Sequence, residues 1–473
     1  MIDSGIIDRL KAITGPKGWI DDARTLEPHV TEWRGLYKGK TPLLLRPAGV
    51  EEVSRILAFC NEARVAIVPQ AGNTSLCGAS VPDGTGRQII LSLARMNRVR
   101  AIDAFNATMV AEAGCVLADI HAAALAENRM FPLSFAAEGS AQLGGFLSTN
   151  AGGTNVLRYG NARDQVLGLE VVLPDGRVWS GLRTLRKDNT GYDLKHLFMG
   201  AEGTLGIITA ASLKLFPAPR SRVTAFLGLA DVASAIALLS LAREKSGDMV
   251  TAFELLPRAG LEMVLRHIEG TRDPLAGAYP WYILMELSSG LDRPIVQELA
   301  DGILEAAFEA GLVQDGTVAA TEGQARELWR LREVMSETQK LEGASIKHDV
   351  AVPVSAIPDF MAEGMAAVVE RFPGSRPVPF GHVGDGNLHF NISQPVGGDG
   401  AAFLALWEEM NEVVHAVVTR YGGSISAEHG IGQLKRALLP RYKSPVEMEL
   451  MHQLKHMLDP NGIMNPGKLL AKK

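Results

Sequence analysis

The sequence predicts an α+β protein built from two domains. Its 473 residues exceed what a single hydrophobic core usually supports. Strand-like and helix-like hydrophobic periods occur in both halves of the chain. After "LKLFPAPRSR", where two prolines end a strand pattern, a region rich in small residues gives way to long helices and apolar strands. We therefore place a domain boundary there.

The first half begins with a helix and loops up to about Lys38. "PLLLRPAGVEEVSRILAFCNEARVAIVPQ" then predicts strand, helix and strand, because Val53, Ile56, Leu57 and Cys60 recur at helical spacing and "VAIVP" is a buried β-type run. "QIILSL" and "ATMVAEAG" predict further strands, and "VLADIHAAALAENR" predicts an amphipathic helix. "VLGLEVVLPDGRVWSG" predicts strands within the region rich in small residues.

The second half alternates strands, "VTAFLGLA" and "WYILMEL", with the helices "DVASAIALLSLAREKSG" and "RPIVQELADGILEAAFEAG". A last helix, "VEMELMHQLKHML", is stopped by Asp459 and Pro460. The predicted limits are residues 1–217 for the first domain and 218–425 for the second, followed by a C-terminal segment at 426–473.

Composition excludes several classes of function. The formal charge of −6 leaves no basic footprint for nucleic acid or an acidic membrane surface. No apolar run approaches the ~20 residues that span a bilayer, and "MIDSGIIDRLKAITG" lacks the apolar core of a signal peptide. Cys60, Cys77 and Cys115 show no paired spacing, which favours a reducing compartment. We expect a soluble cytoplasmic protein.

Three Gly-rich stretches are typical of backbone that approaches a ligand closely. They are "VPQAGNTSLCG" (68–78), "GSAQLGGFLSTNAGGTNVLRYG" (139–160) and "GYDLKHLFMGAEGTLGIIT" (191–209). Glycine allows positive φ and removes the Cβ, so amide N–H groups can surround a pyrophosphate. Any one stretch alone is equally well a tight turn. Together, within one α/β region, they predict a site for a large anionic cofactor.

Several familiar motifs are missing. The sequence contains no G-x-G-x-x-G fingerprint, no G-x-S-x-G elbow and no H-E-x-x-H zinc motif. The tail "GIMNPGKL" imitates a phosphate-binding P-loop, but Leu469 stands where a Ser or Thr must bind magnesium. This tail also follows a predicted helix instead of a strand.

The combined motifs resemble a known family. "VPQAGNTSLCG", "GSAQLGGFLSTNAGGTNVLRYG" and "GAEGTLGIIT" are similar to the FAD-binding domain of the vanillyl-alcohol oxidase flavoprotein superfamily. "GHVGDGNLHFN", "SAEHGIG" and "DPNGIMNPGK" resemble its D-2-hydroxyacid dehydrogenase branch, and the likeness runs from about Thr41 to Lys468. It implies an FAD-binding first domain, an α+β substrate (cap) domain, and a C-terminal helical return that completes the active site.

The resemblance also implies which residues bind FAD. The pyrophosphate would meet the backbone of the first stretch and the side chains of Asn73, Thr74 and Ser75, the isoalloxazine would meet the second stretch, and the adenine side would meet the third. The implied set is Pro69, Gln70, Ala71, Gly72, Asn73, Thr74, Ser75, Gly139, Ser140, Gly144, Ser148, Thr149, Gly153, Glu202, Gly203, Ile207 and Asn465. The pyrophosphate loop has no histidine for covalent attachment, so we expect non-covalent FAD.

A cluster of histidines and a glutamate favours a metal site. His382, His389 and Glu428 supply the three ligands of a catalytic zinc that keeps one open position, and the turn "VGDGN" can bring the two imidazoles to one side. A single histidine in a polar loop is otherwise an ordinary hydrogen-bonding residue. The resemblance implies that these three residues bind the metal and that His429 is the general base. Zinc is the first expectation, with manganese or another divalent ion as alternatives.

The resemblance further implies substrate-binding roles for Arg332, Ser336, Lys347 and Asn391. Ser336 stands where the family commonly has threonine and keeps the hydroxyl. A guanidinium binds a carboxylate through two hydrogen bonds, and a lysine offers a point charge to a flexible chain end. On sequence alone, Arg332 and Lys347 are equally well solvated surface charges.

These features predict an FAD- and metal-dependent dehydrogenase that oxidises a D-2-hydroxy acid, D-2-hydroxyglutarate first, to the 2-oxo acid by hydride transfer to FAD N5. A D-lactate dehydrogenase and a glycolate-oxidase-type flavin subunit are the nearest alternatives. A zinc hydrolase and a non-catalytic flavin subunit of an electron-transfer assembly belong to other classes. An electron-transfer flavoprotein or a quinone is the expected acceptor, and the sequence leaves the oligomeric state open, a homodimer included.

Overall fold

The computed structural model describes residues 2–471, so the predicted outer limits at 1 and 473 lie outside the described residues. The chain forms two compact units. The first contains the described residues of Met1–Gly152, Gly160–Ala218 and Glu428–Lys473, and the second contains Gly153–Tyr159 and Pro219–Ala427.

Eleven short strands of the described residues lie in the first unit and eight in the second. In chain order they are β1 (Trp19–Ile20), β2 (Leu44–Leu45), β3 (Ala66–Gln70), β4 (Gln88–Ser92), β5 (Val99–Asp103), β6 (Thr108–Glu112), β7 (Arg129–Met130), β8 (Val166–Val172), β9 (Val178–Gly181), β10 (Ile207–Lys214), β11 (Phe216–Pro217), β12 (Ser221–Leu229), β13 (Val250–Pro257), β14 (Trp281–Ser289), β15 (Asp315–Val318), β16 (Ser345–Ile346), β17 (Asp349–Ala351), β18 (Arg376–Phe380) and β19 (Asn387–Ser393).

The described helices are α1 (Ser4–Thr14), α2 (Ala23–Val30), α3 (Val50–Ala63), α4 (Leu117–Ala126), α5 (Leu143–Ser148), α6 (Val156–Tyr159), α7 (Lys195–Phe198), α8 (Val232–Ser246), α9 (Arg258–His267), α10 (Arg293–Glu309), α11 (Glu322–Glu333), α12 (Met335–Thr338), α13 (Ile357–Arg371), α14 (Gly400–Leu404), α15 (Trp407–Arg420), α16 (Leu439–Tyr442) and α17 (Pro445–Leu458). Within the described residues, no helix combines the length and the apolar character needed to cross a membrane.

Local sequence sets the limits of these helices. Asp231 accepts a hydrogen bond from the Ser234 amide at the start of α8, and Gly247 ends that helix in the left-handed region. Helix α17 begins with a capping box between Ser444 and Glu447. It ends at Asp459, directly before Pro460, as the sequence predicts.

The first unit contains two main sheets. One has the order β1-β2-β4-β3, in which β2, β4 and β3 are parallel and α3 connects β2 to β3. The other is antiparallel with the order β5-β6-β10-β8-β9. The residues after α17 return to the first sheet, because the Ile67 amide donates to Ile463 and the Asn465 amide donates to Ile67.

The second unit is also built on two sheets. The first, β13-β14-β12-β15, is antiparallel and buried on both faces. Alternation along β12 sends Leu227 into the core formed with α8 and α10, and Phe226 into the core formed with α9 and α11. In the other sheet β19 pairs with β18 on one edge and with β16 and β17 on the other.

The α+β class and the main strands and helices are as the sequence predicts. The segment at 426–473, predicted as a C-terminal return that completes the active site, belongs to the first unit from Glu428 onward, where its backbone pairs with the edge of β3. Gly153, which the resemblance implies for FAD binding, lies in the second unit. Residues 153–159 form part of that unit because α6 packs against it, with Leu157 beside Gly384 and Arg158 bonded to Ser288.

Candidate functional site

The three Gly-rich stretches, apart from residues 153–159, lie in the first unit and pack against one another there. A Cβ at Gly72, whose φ is +81°, would lie 2.4 Å from the Ser140 carbonyl oxygen. A Cβ at Gly145 would lie 2.6 Å from the carbonyl oxygen of Ala71. Glycine is therefore needed for the first and second stretches to approach this closely.

The side chains of the loop after β3 are engaged in shaping the loop itself. Gln70 bonds to His29 and to the Ser80 carbonyl. The Asn73 amide group donates to two carbonyls of α2 and its end, and its oxygen accepts from the Ser80 hydroxyl at 2.7 Å. Ser75 accepts from two amides of its own loop. The resemblance implied direct side-chain contacts of Asn73 and Ser75 with the pyrophosphate, whereas their described bonds hold a preformed backbone.

Glu202 links the third Gly-rich stretch to the segment that begins at Glu428. Its buried carboxylate accepts hydrogen bonds from the amides of Ile431, at 2.7 Å, and Gly432, at 2.8 Å. Burial raises the pKa of this carboxyl although the two amides oppose the shift. The Asn465 side chain donates to the carbonyls of Glu202 and Ala79. The side chain implied to cover the adenine therefore braces this turn.

Buried polar atoms beside these loops fit an anionic, hydrogen-bonding cofactor. Gln142 Oε1 and Asn465 Oδ1 are buried without a hydrogen-bond partner among the described residues. The Lys468 side chain is 2% exposed and makes no hydrogen bond within the described part of the chain. Burial lowers the pKa of Lys468 to about 8. The donor and acceptor set suits a flavin nucleotide.

The other residues implied for FAD differ in their surroundings. Gly144, Ser148 and Thr149 lie on or directly after α5, and Gly139 and Ser140 are exposed before it. Ile207 is 2% exposed and belongs to the apolar core beside β3, so its side chain serves packing. The side-chain contacts of Pro69 with Gly203 join β3 to the third stretch. The described contacts of Thr74 assign it no partner.

The two predicted metal-ligating histidines lie together in the second unit. His389 is on β19, and His382 lies two residues beyond the end of β18, in the turn and not in a strand. Their ring centroids are 5.6 Å apart. Gly381, with φ +151°, makes the chain reversal possible, because a Cβ there would lie 2.7 Å from the Asn387 carbonyl oxygen.

A buried carboxylate connects His382 to Arg332. Glu254 Oε1 lies 2.7 Å from His382 Nδ1, and Oε2 accepts from Arg332 Nε at 2.8 Å. Burial alone would raise the pKa of Glu254, but the imidazole and the guanidinium reverse the shift and hold it well below its usual value. The Arg332 guanidinium also lies 4.8 Å from the Phe380 ring centre. Arg332 is thus a buried residue of α11 and not a solvated surface charge.

The remaining predicted substrate residues are also in the second unit. Lys347, between β16 and β17, donates to the carbonyl oxygen of Ser336 at 2.8 Å and to its hydroxyl at 3.0 Å. Asn391 and His389 share a face of β19, since they are two residues apart on a strand. The Asn391 amide donates to Gln339.

Glu428 and His429 belong to the first unit and are half-buried. They precede a turn in which Gly430 and Gly432 have positive φ. Gly430 faces Glu202, and a Cβ at Gly432 would lie 2.1 Å from the Cys77 carbonyl oxygen. The "EHGIG" sequence therefore needs both glycines for this turn.

Sequence reasoning missed three groups. Glu254 is far from its partners along the chain, and its one signal is a glutamate inside the apolar strand "VTAFELLP". Asp385 lies in the turn after His382, where burial raises its pKa to about 6. Lys468 lies in the tail that resembles a P-loop but lacks its magnesium-binding hydroxyl. Its burial nevertheless marks it as a candidate for binding an anion.

Two family models together match most of the chain. Residues 41–181 match the model described as an FAD binding domain. Residues 218–469 match the model described as the C-terminal domain of FAD linked oxidases.

Curated relatives and solved structures agree with these matches. The chain is 39% identical to the mitochondrial D-2-hydroxyglutarate dehydrogenase of Arabidopsis thaliana, over 99% of this chain and 82% of the relative. It is 36% identical to a Schizosaccharomyces pombe protein provisionally named a mitochondrial D-lactate dehydrogenase, over 98% and 87%. The crystal structure of p-cresol methylhydroxylase with bound substrate covers 98% of this chain and 96% of its own at 18% identity, with a TM-score of 0.76. This likeness confirms the predicted vanillyl-alcohol oxidase-type fold.

Proposed function

Because the chain belongs to the D-2-hydroxyacid dehydrogenase branch of the FAD-linked oxidases, we propose that it oxidises a D-2-hydroxy acid, D-2-hydroxyglutarate first, to the 2-oxo acid. One observation supports the substrate assignment. In the second unit, His382, a proposed metal ligand, and Arg332, a proposed ligand of a substrate carboxylate, both bond to the buried Glu254. The test is anaerobic addition of D-2-hydroxyglutarate to purified enzyme, which is expected to bleach the yellow flavin.

Glu428 completes the proposed metal site with His382 and His389, and zinc is the preferred ion. Two imidazoles and one carboxylate are a ligand set that zinc favours, and it leaves an open position. The Nδ1 of His382 is directed at Glu254, which leaves Nε2 as its ligating nitrogen. When bound, the metal would acidify the substrate hydroxyl.

His429 is the proposed general base. It accepts the proton of the C2 hydroxyl at a ring nitrogen as the C2–H bond breaks and the C2 ketone forms. FAD, when bound, supplies the two-electron acceptor for the hydride from C2. Arg332 and Lys347 bind the carboxylates of the substrate, while Ser336 and Asn391 position its carbon chain.

FAD is proposed to bind non-covalently through the residues implied in the three Gly-rich stretches and Asn465. Gly72→Ala should lower the FAD content of the purified protein, because its Cβ would collide with Ser140. Gly86→Ala is the matched control, since Gly86 also has positive φ but an added Cβ meets nothing within 4 Å. Both substitutions incur the ~1–2 kcal/mol cost of a left-handed L-residue. Equal flavin content in the two variants would contradict the proposal that the Gly-rich stretches bind FAD.

A dicarboxylate is the proposed substrate because Arg332 and Lys347 can each bind one substrate carboxylate. A monocarboxylate such as D-lactate would form one fewer charged hydrogen bond with these two residues, and losing a charged hydrogen bond costs ~1.5–3 kcal/mol. At 1.4 kcal/mol per decade, the preference is on the order of 10–100-fold in kcat/KM.

Lys347→Ala should remove most of this preference by impairing oxidation of D-2-hydroxyglutarate or D-malate while leaving oxidation of D-lactate unchanged. The measurement is kcat/KM for each acid with a dye acceptor. Lys340→Ala, at an exposed lysine of the same region, is the matched control and should change neither value. Wild-type enzyme that prefers D-lactate, or a Lys347→Ala variant equally impaired on both acids, would refute the assignment.

The alternatives give different results in the same experiment. Colourless protein loaded with zinc would indicate a hydrolase, and yellow protein that no hydroxy acid reduces would indicate a subunit of an electron-transfer assembly. An electron-transfer flavoprotein or a quinone is the proposed electron acceptor. Sedimentation measures the oligomeric state and tests whether the protein is a homodimer.

A cytoplasmic location is part of the proposal, supported by three buried cysteines that are free of disulfides. Cell fractionation tests it.

A further inference from the structure

Glu254 occupies a position where a charged residue is rare. It lies on β13, is 1% exposed, and is surrounded by the apolar positions of that strand. A carboxylate is costly to bury unless it is paired and hydrogen-bonded. Here the two oxygens are divided, one for His382 and one for Arg332. A packing role alone would be met by an apolar residue.

The fold places the three side chains together through one backbone contact. Leu255 and Gly381 exchange two hydrogen bonds, of 2.9 and 3.1 Å, which join β13 to the end of β18. The neighbouring residues Glu254 and His382 are thereby held side by side. Arg332 reaches the same carboxylate from the last turn of α11.

We propose that Glu254 is a positioning residue that orients the metal ligand His382 and the substrate-binding Arg332 at the same time. This inference rests on the proposed function and adds to it a residue that touches neither metal nor substrate. It makes metal affinity and substrate affinity depend on one carboxylate.

The effect on His382 follows from the direction of the hydrogen bond. A carboxylate accepts but cannot donate, so it selects the tautomer with hydrogen on Nδ1 and the lone pair on Nε2. Such a partner also fixes the ring plane and makes the ligand more basic. Loss of a partner of this kind typically weakens metal binding ~10–100-fold.

The effect of Glu254 on Arg332 is to leave the two terminal guanidinium nitrogens available for a substrate carboxylate. The carboxylate takes the Nε hydrogen and Phe380 lies against the guanidinium, so the plane is fixed. The described residues offer the two terminal nitrogens of Arg332 no hydrogen-bond partner. A guanidinium held in this way can bind a substrate carboxylate through two parallel hydrogen bonds.

The test compares Glu254→Gln with Glu286→Gln. Glu286 is a buried glutamate of the adjacent strand β14 that bonds instead to Thr224 and Trp329. After chelator treatment, each flavin-containing protein is titrated with zinc against a competing chelator. KM and kcat for D-2-hydroxyglutarate are then measured at saturating zinc. Circular dichroism and FAD content report folding.

Glu254→Gln is expected to weaken zinc binding ~10–100-fold and to raise KM about tenfold at saturating zinc, with FAD content unchanged. Glu286→Gln should keep the wild-type zinc affinity and KM. Wild-type values in Glu254→Gln would overturn the inference while leaving the proposed function in place. Wild-type protein that binds no divalent metal would overturn both. If Glu254→Gln fails to fold, Glu254→Asp, too short to span both partners, carries the same expectation.

Discussion

His382→Ala is expected to lose the bound metal and nearly all turnover, on the order of 10³-fold, while keeping FAD. Metal polarisation supplies several kcal/mol of transition-state stabilisation, and each ~1.4 kcal/mol is tenfold in rate. FAD should remain because His382 lies in the second unit, whereas the three Gly-rich stretches, apart from residues 153–159, lie in the first. His389→Ala should behave alike for the same reason. Glu428→Ala should also lose the metal and turnover, although Glu428 belongs to the first unit. Metal analysis, flavin absorbance and dye-coupled turnover measure the three quantities.

The control for this series is His267→Ala. His267 is the last residue of α9 and bonds to Glu342. Its replacement therefore removes an imidazole of the second unit that belongs to a different ion-pair cluster. This variant should retain metal and turnover. Chelator-treated wild-type enzyme should regain activity with added divalent ion, and full activity in metal-free protein would rule out the metal assignment.

His429→Gln is expected to keep metal and flavin but to lose ~10²–10⁴-fold in kcat, the usual contribution of a positioned base. The wild-type rate should rise with pH, because only a neutral imidazole accepts the proton. The variant should lose that rise. A pH–rate profile of both proteins measures the effect, and a glutamine variant with full turnover and the same profile would require another base.

Local patterns predicted the framework well. The helices α8 and α10 and the strands β12 and β14 form where their hydrophobic periods predict them, and the two imidazoles that flank the turn "VGDGN" have ring centroids 5.6 Å apart. Such elements depend on neighbours along the chain, so hydrophobic period and turn residues suffice to find them.

Long-range pairings could not be read from the sequence. Glu254 and His382 are 128 residues apart, and nothing in either local sequence indicates the bridge between β13 and β18. The pairing of Met464 with Ile67 is equally invisible in the sequence, so the strand that the C-terminal segment joins could not be predicted. Asn73 is the opposite case: the Gly-rich pattern singled out its loop, but only the fold reveals that its side chain holds the backbone of that loop.

The pairing of β3 with residues 463–465 determines when the first unit can finish folding. On the ribosome, β3 and the loop that follows it emerge early, whereas their partner emerges roughly 20–80 s later at synthesis rates of about 5–20 residues per second. Asp459, which holds the amides of Ile463 and Met464, emerges in the same late interval. The sheet that contains β3 therefore stays incomplete until residues 463–465 have been synthesised, and until then the nascent chain exposes an unpaired strand edge.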